Sequence, residues 1–384
     1  MSSSYLSRGV PYWRLSGFYF LFFITVGIFL PYWPLYLESI GLGPVQIGIL
    51  AAIVVVTKIF AAYFWGWVVD HTARRMPVIR LASLLSAVTF AAVFLVQGFW
   101  GLALILFLFS FFWSAALPQV EAATLSHLGE STHAYAAIRL WGSIGFILAV
   151  WSLGLVFDHA GIRHTPLLIL ISLAVVWMAS LAIPREAAAH HDGEVTGLLS
   201  ILASREVLAF FGICFLMLAS HGPYYTFFSI YLEGNGYSKT VIGEMWALGV
   251  IAEVLIFLFM RRLLGMFTLK ILLMSSLLCA CLRWLLIGLL VDNLAWLIVA
   301  QVLHAATFGL YHAVAIQYVH RFFKGRLQGR GQALYSSTSF GAGMAVGSLV
   351  SGYIWNSAGA EFCFTAAAGL SLLAFIIAWY RIRT

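Results

Sequence analysis

Apolar residues along this chain come in long runs separated by short polar interruptions. The runs occupy 13–37, 46–69, 76–96, 101–123, 135–157, 166–183, 207–232, 241–261, 269–290, 294–319, 331–354 and 361–380. Each is close to the roughly 20 residues an α-helix needs to cross the bilayer's hydrocarbon. The pattern predicts an all-α membrane protein of twelve transmembrane helices in two pseudo-symmetric six-helix bundles. Barrel strands do not fit, because they alternate and are only about ten residues long. The longest polar interruption carries His190, His191, Asp192, Gly193 and Glu194. It reads as a cytoplasmic linker, 184–206, between an N-terminal bundle, 1–183, and a C-terminal bundle, 207–384. Its histidines read as solvated rather than metal-binding.

The polar breaks also repeat. Tyr36 to Gly48 (YLESIGLGPVQIG) returns 195 positions later as Tyr231 to Gly243 (YLEGNGYSKTVIG). Each copy joins two apolar runs. Internal repeats of this kind place the site of many secondary transporters at the bilayer midplane, where the repeats meet. In this frame Glu38 and Glu233 lie at the outer side, in capping or gating positions.

Composition agrees with the pattern: 62% hydrophobic residues, 9% charged and a mean hydropathy of +0.98, where a soluble domain carries roughly 25% charged residues. The net charge of +7 is a topology signal and not a nucleic-acid footprint. Sixteen of the 21 Lys and Arg fall at the termini or at the loops after even-numbered runs, two at the opposite loops and three within spans. The positive-inside rule then puts both termini in the cytoplasm. Cys214, Cys279, Cys281 and Cys363 lie in apolar runs without metal spacing and read as packing residues. No cleavage pattern follows the first run, so that helix is expected to remain. No nucleotide loop or catalytic constellation is present; an enzyme is not expected, nor a metal or cofactor.

A charge near a helix centre costs about 3 kcal/mol or more and persists when paired or facing water. The candidates are Lys58, Glu121, Arg139, Glu253 and Arg283, joined by His304 and His312. Lys58 is too deep for easy snorkelling, whereas Arg283 is near enough to a span end to serve equally as an interfacial anchor. The 195-residue offset pairs Lys58 with Glu253, opposite charges in one frame. Gln301, His304, Phe308 and His312 share one helix face, either as polar glue between helices or as a substrate or proton lining. Gly343 and Gly347 form a GxxxG step for close helix contact.

The segment Gly66-Trp-Val-Val-Asp70-His-Thr-Ala-Arg74-Arg75 resembles the loop signature of the major facilitator superfamily, with His71 and Ala73 in place of its frequent basic residue and glycine. Its glycine would allow close helix approach, its Asp would cap a neighbouring helix, and its arginines would pair across the cytoplasmic interface. The segments around Pro118–Glu121 and Arg139–Phe146 are similar to lactose permease and the proton-linked sugar and nucleoside symporters. AEVLIF, LRW and WLIVAQVLH in the second half look closer still to phenylpropionate permeases.

The resemblance implies a monomeric transporter in the inner membrane, with a small-molecule substrate, a coupling proton and the lipid bilayer as partners. It implies substrate binding by Glu121, Arg139, Phe146 and His304, and structural or gating parts for Gly66, Asp70, Arg74, Arg75 and Lys58. The family's helix-ten His-x-x-Glu reads here His304-Ala-Ala-Thr307, so its proton-carrying Glu is missing and Glu253, together with His304, is expected to replace it. Desolvation would favour the neutral carboxyl of Glu253, and a nearby Arg139 the charged one. Proton-coupled uptake of an aromatic acid, sugar or nucleoside is the expected function. Two alternatives are an efflux antiporter for hydrophobic compounds, disfavoured because Gly142 to Asp158 lacks a proline, and a non-transporting sensor or scaffold.

Overall fold

The computed structural model describes residues 10–129, 134–184 and 201–383; most of the expected linker, including His190 and His191, lies outside the described residues. Every long apolar run is helical and no strand occurs among the described residues. In chain order the helices are α1 (Tyr12–Ser39), α2 (Pro44–Thr72), α3 (Arg75–Ala91), α4 (Phe99–Leu128), α5 (Tyr135–Ala160) and α6 (Thr165–Ala182). Then come α7 (Arg205–Gly234), α8 (Lys239–Met266), α9 (Leu269–Leu289), α10 (Leu294–Phe322) and α11 (Gln328–Arg381). Several exceed their apolar runs. In α4 the turn Leu125-Ser126-His127 stays helical until Gly129, whose φ of 52° ends it.

Eleven described helices are long and apolar enough to cross a membrane. The last covers 54 residues, which as a straight rod would run about 80 Å, far beyond the roughly 30 Å of hydrocarbon. It is broken at Gly359, where φ is 85° and ψ 175°. Side chains rarely adopt that backbone region, so a glycine holds the break. Two π-helical segments interrupt the second half, Ala305–Leu310 within α10 and Ser337–Gly343 within α11.

The repeat is visible in the backbone. Gly41 and Gly236, 195 apart, have φ of 88° and 84°. The helices that follow begin at Pro44 and Lys239, again 195 apart. Both turns need the left-handed conformation that glycine adopts without steric cost, which explains why this glycine recurs.

The described residues group into two compact units, Met1–Ile40 with Val56–Asp192, and Gly41–Val55 with Gly193–Thr384. Gly41–Val55 packs tightly within the second unit, where a Cβ on Gly48 would already touch the Ser348 carbonyl and the Gly352 backbone. In the first unit Tyr32 donates to the Val150 carbonyl at 2.6 Å and Trp65 to the Phe111 carbonyl at 2.9 Å, tying α1 to α5 and α2 to α4. The Arg80 guanidinium donates to the carbonyls of Ser180, Leu181 and Ile183, placing a cation at the negative end of the α6 dipole. In the second unit a Cβ on Gly347 would collide with the Ala219 carbonyl, and one on Gly222 with Gly347. The GxxxG step is thus a close contact between α7 and α11.

Candidate functional site

In the first unit, Glu121 sits on the last third of α4 and Arg139 on the first turns of α5, both half-buried. Arg139 acts electrostatically on the Glu121 carboxyl, which also accepts a hydrogen bond from the Tyr135 hydroxyl. The guanidinium rests over the Phe23 ring, 4.0 Å from its centroid, with Tyr19 at 5.9 Å. Tyr19 also meets Thr124 at 3.3 Å. The resemblance implied a Glu–Arg charge pair; here the cation faces an aromatic ring and shares its field with the carboxylate. Phe146, the implied stacking platform, is 5% exposed.

Lys58 is the fifteenth residue of α2. Its Nζ lies 5.5 Å from the centroid of Trp113 on α4. Trp113 belongs to an aromatic group in which Phe22 and Phe109 stack on it at 5.4 and 5.2 Å. Phe29 meets it at 5.7 Å.

The signature loop departs from its expected roles. A Cβ at Gly66 would meet nothing within 4 Å, so close helix approach does not explain this glycine in the present structure. Arg74 occupies the N-cap of α3 and no side chain caps that helix, so Asp70 does not serve as its cap. Arg74 and Asp70 are exposed. Ala73, standing where the family frequently has glycine, has φ of 51° and is the one non-glycine residue with positive φ among the described residues. That explains the family's glycine: the turn from α2 to α3 needs the left-handed region.

The second unit holds the densest polar group. Arg283, weighed in the sequence as an interfacial anchor, is instead fully buried at 0% exposure. Its Nε donates to the Ala300 carbonyl at 3.0 Å, Nη1 to Thr307 Oγ1 at 3.2 Å and Nη2 to Gln301 Oε1 at 3.4 Å. Its guanidinium lies over the rings of Tyr224 and Trp284 at 4.2 and 4.6 Å, and Tyr224 donates to the same Gln301 oxygen at 3.0 Å. Position along α9 does not reveal this hub, because all three acceptors come from α10.

Glu253, at the fifteenth residue of α8, places Oε2 3.9 Å from His304 Nε2. That is beyond hydrogen-bond contact but within strong electrostatic reach. Gly309 lets the helices come this close, since a Cβ there would stand 3.1 Å from Glu253 Cγ. His304 stacks on Phe308 at 5.3 Å. Farther along α10, His312 Nδ1 meets the Tyr335 hydroxyl at 3.0 Å. The π-helical segment carries Thr307 and Phe308; such bulges are frequent at functional sites. Thr307, standing where the family's Glu is expected, meets Arg283 with a neutral hydroxyl.

The sequence single-handedly indicated Glu253, His304 and Gln301, but not Arg283 as a buried hub, nor Tyr224 and Trp113. Both rings are signalled only by the repeat: Tyr224 is 195 positions after Phe29, and Phe308 is 195 after Trp113.

Residues 12–366 match the MFS_1 like family. The chain is 30% identical over 350 residues to the probable 3-phenylpropionic acid transporter of Escherichia coli, covering 90% of this chain and 92% of that protein. It is likewise 30% identical over 380 residues to the maltose permease of Geobacillus stearothermophilus, covering 96% and 94%. Its fold superposes on the crystal structure of the nucleoside transporter NupG with a TM-score of 0.85 at 17% identity, over 96% of this chain and 99% of that one. The chain belongs to the MFS_1 like family: it is a multi-pass membrane transporter of the major facilitator type, and not an enzyme.

Proposed function

We propose that this family member is a proton-coupled symporter that takes up a small organic solute by alternating access. The solute classes in view are aromatic acids, sugars and nucleosides, consistent with the names of the phenylpropionic acid and maltose relatives. On this reading the chain crosses the membrane twelve times in two bundles, 1–183 and 207–384, and the break at Gly359 supports counting α11 as two passes. The Lys and Arg distribution supports both termini lying in the cytoplasm, and the reading is of a monomer in the cell membrane.

The observation that carries the reading is the Glu253–His304 approach at 3.9 Å beside the buried Arg283 hub. Ionisable residues paired at the middle of apolar helices mark proton relays and substrate pathways. Glu253 and His304 bind the coupling proton; Glu121, Arg139, Phe146 and His304 meet the substrate. Gly66, Asp70, Arg74, Arg75 and Lys58 serve the conformational change.

Proteoliposomes with an inward proton gradient test this. Glu253→Gln should lose gradient-driven accumulation while keeping substrate exchange at equal pH. Undiminished accumulation by that variant rejects the proton assignment. Accumulation only under the opposite gradient makes the protein an exporter.

A further inference from the structure

Lys58 combines three properties that do not normally coexist. It lies 14 residues from each end of α2, about 21 Å along the axis in either direction, beyond the reach of its own side chain. It shares its helix face with Ala61, Trp65 and Val69, at i+3, i+7 and i+11, and those three are buried against α3 and α4. Yet Lys58 is exposed. The exposed apolar face of α2, with Phe60, Tyr63 and Trp67, is on the opposite side of the helix, 140° to 200° around at about 100° per residue. Lys58 therefore opens onto space on the protein side of the helix and not onto lipid.

Its chemistry is incomplete there. An ammonium carries three N–H donors, and among the described residues it lies against the Trp113 ring with no hydrogen bond or ion pair. Trp113 is itself buried, and its Nε1–H has no acceptor. The ammonium thus has an aromatic face and no oxygen acceptor, in a group otherwise built of Phe22, Phe29 and Phe109. The other two cations within the apolar spans are provided for: Arg139 has the field of Glu121, and Arg283 has three oxygen acceptors.

We propose that Lys58, with Trp113, is a substrate-binding residue that takes the carboxylate of an organic monoanion. Among the solute classes considered above, this selects the acids over the sugars and nucleosides. It rests on the transporter reading but not on the proton assignment, and it gives Lys58 a binding part in place of a merely conformational one. The carboxylate supplies the acceptor that the Lys58 ammonium lacks. The surrounding rings favour an acid with a flat apolar body.

The test compares 3-phenylpropionate, benzoate and hexanoate with 3-phenylpropanamide and maltose, using the purified full-length protein. Ligand-induced thermal shift and proteoliposome uptake are both read. At least one acid should bind 30-fold or more tightly than its amide. Lys58→Met should raise the KM for that acid 30-fold or more with little change in kcat, and Lys58→Arg should recover most of the loss. If Lys58→Met fails to fold, the acid-to-amide ratio of the unsubstituted protein decides. Equal KM in Lys58→Met, equal binding of acid and amide, or no shift with any acid each overturns the proposal. Uptake of maltose with no acid bound would leave the transporter reading standing and this inference refuted.

Discussion

His304 lies ring-parallel on Phe308, centroids 5.3 Å apart and planes 17° apart. In the first unit, 195 positions earlier, Phe109 lies on Trp113 at 5.2 Å and 19°. The same stacked pair stands in the same frame of α10 and α4, with a titratable ring replacing a phenyl. The correspondence extends outward. Phe29 and Trp33 pack at 5.7 Å, and their equivalents Tyr224 and Phe228 at 4.8 Å; Lys58 corresponds to Glu253. The duplicated scaffold is kept, and the polar chemistry of the second copy is written over an aromatic template.

His304→Phe restores the residue of the first unit at that position and preserves the stack. The protein is expected to fold with a melting temperature within a few degrees of the unsubstituted one. Proton-driven uptake should fall at least tenfold, because Glu253 loses its imidazole neighbour. Thermal unfolding in detergent and gradient-driven uptake check the two halves of this expectation.

Arg283→Met leaves the Ala300 carbonyl, Thr307 and Gln301 short of a buried donor. Each unsatisfied group costs about 1–3 kcal/mol, while removing an ion from an apolar interior returns part of that. A net loss of about 3 kcal/mol is expected. Arg283→Lys should fall between, since an ammonium cannot reproduce the planar fork. Melting temperatures of the three proteins order the effects.

Ala73→Gly should stabilise the protein. A side chain in the left-handed region costs about 1–2 kcal/mol, and the extra freedom of glycine in the unfolded chain returns about 0.5–1 kcal/mol of that. A net gain of about 0.5–1 kcal/mol follows, with transport rates unchanged. A lowered melting temperature would contradict the φ of 51° at this turn.

Gly347→Ala and Gly66→Ala should behave oppositely. The new methyl at 347 meets the Ala219 carbonyl, a backbone atom that cannot turn aside; overpacking of this kind costs about 1–3 kcal/mol. At 66 it meets open space, and alanine's helix preference should raise stability by up to about 1 kcal/mol. Paired thermal melts distinguish the two glycines directly.

The membrane class, the repeat and the mid-span charges could all be read from the chain because each depends on properties local to a helix. Twenty consecutive apolar residues have one stable fate in a bilayer, with every backbone group bonded inside the helix. Gly41 and Gly236 recur because each turn alone demands a left-handed residue. Glu253 and Lys58 could be singled out because charge at a helix centre is costly whatever its neighbours. Which of these charges find partners depends instead on distances between helices. Arg283 looks like an end-of-helix anchor in one dimension and is a fully buried hub in three, because Ala300, Gln301 and Thr307 on α10 supply its acceptors. Lys58 and Arg283 are both cations within apolar spans by sequence. Only packing decided that one is saturated by oxygen and the other stands exposed beside an aromatic ring, since hydrogen bonds form over about 3 Å and no spacing along a chain encodes that approach.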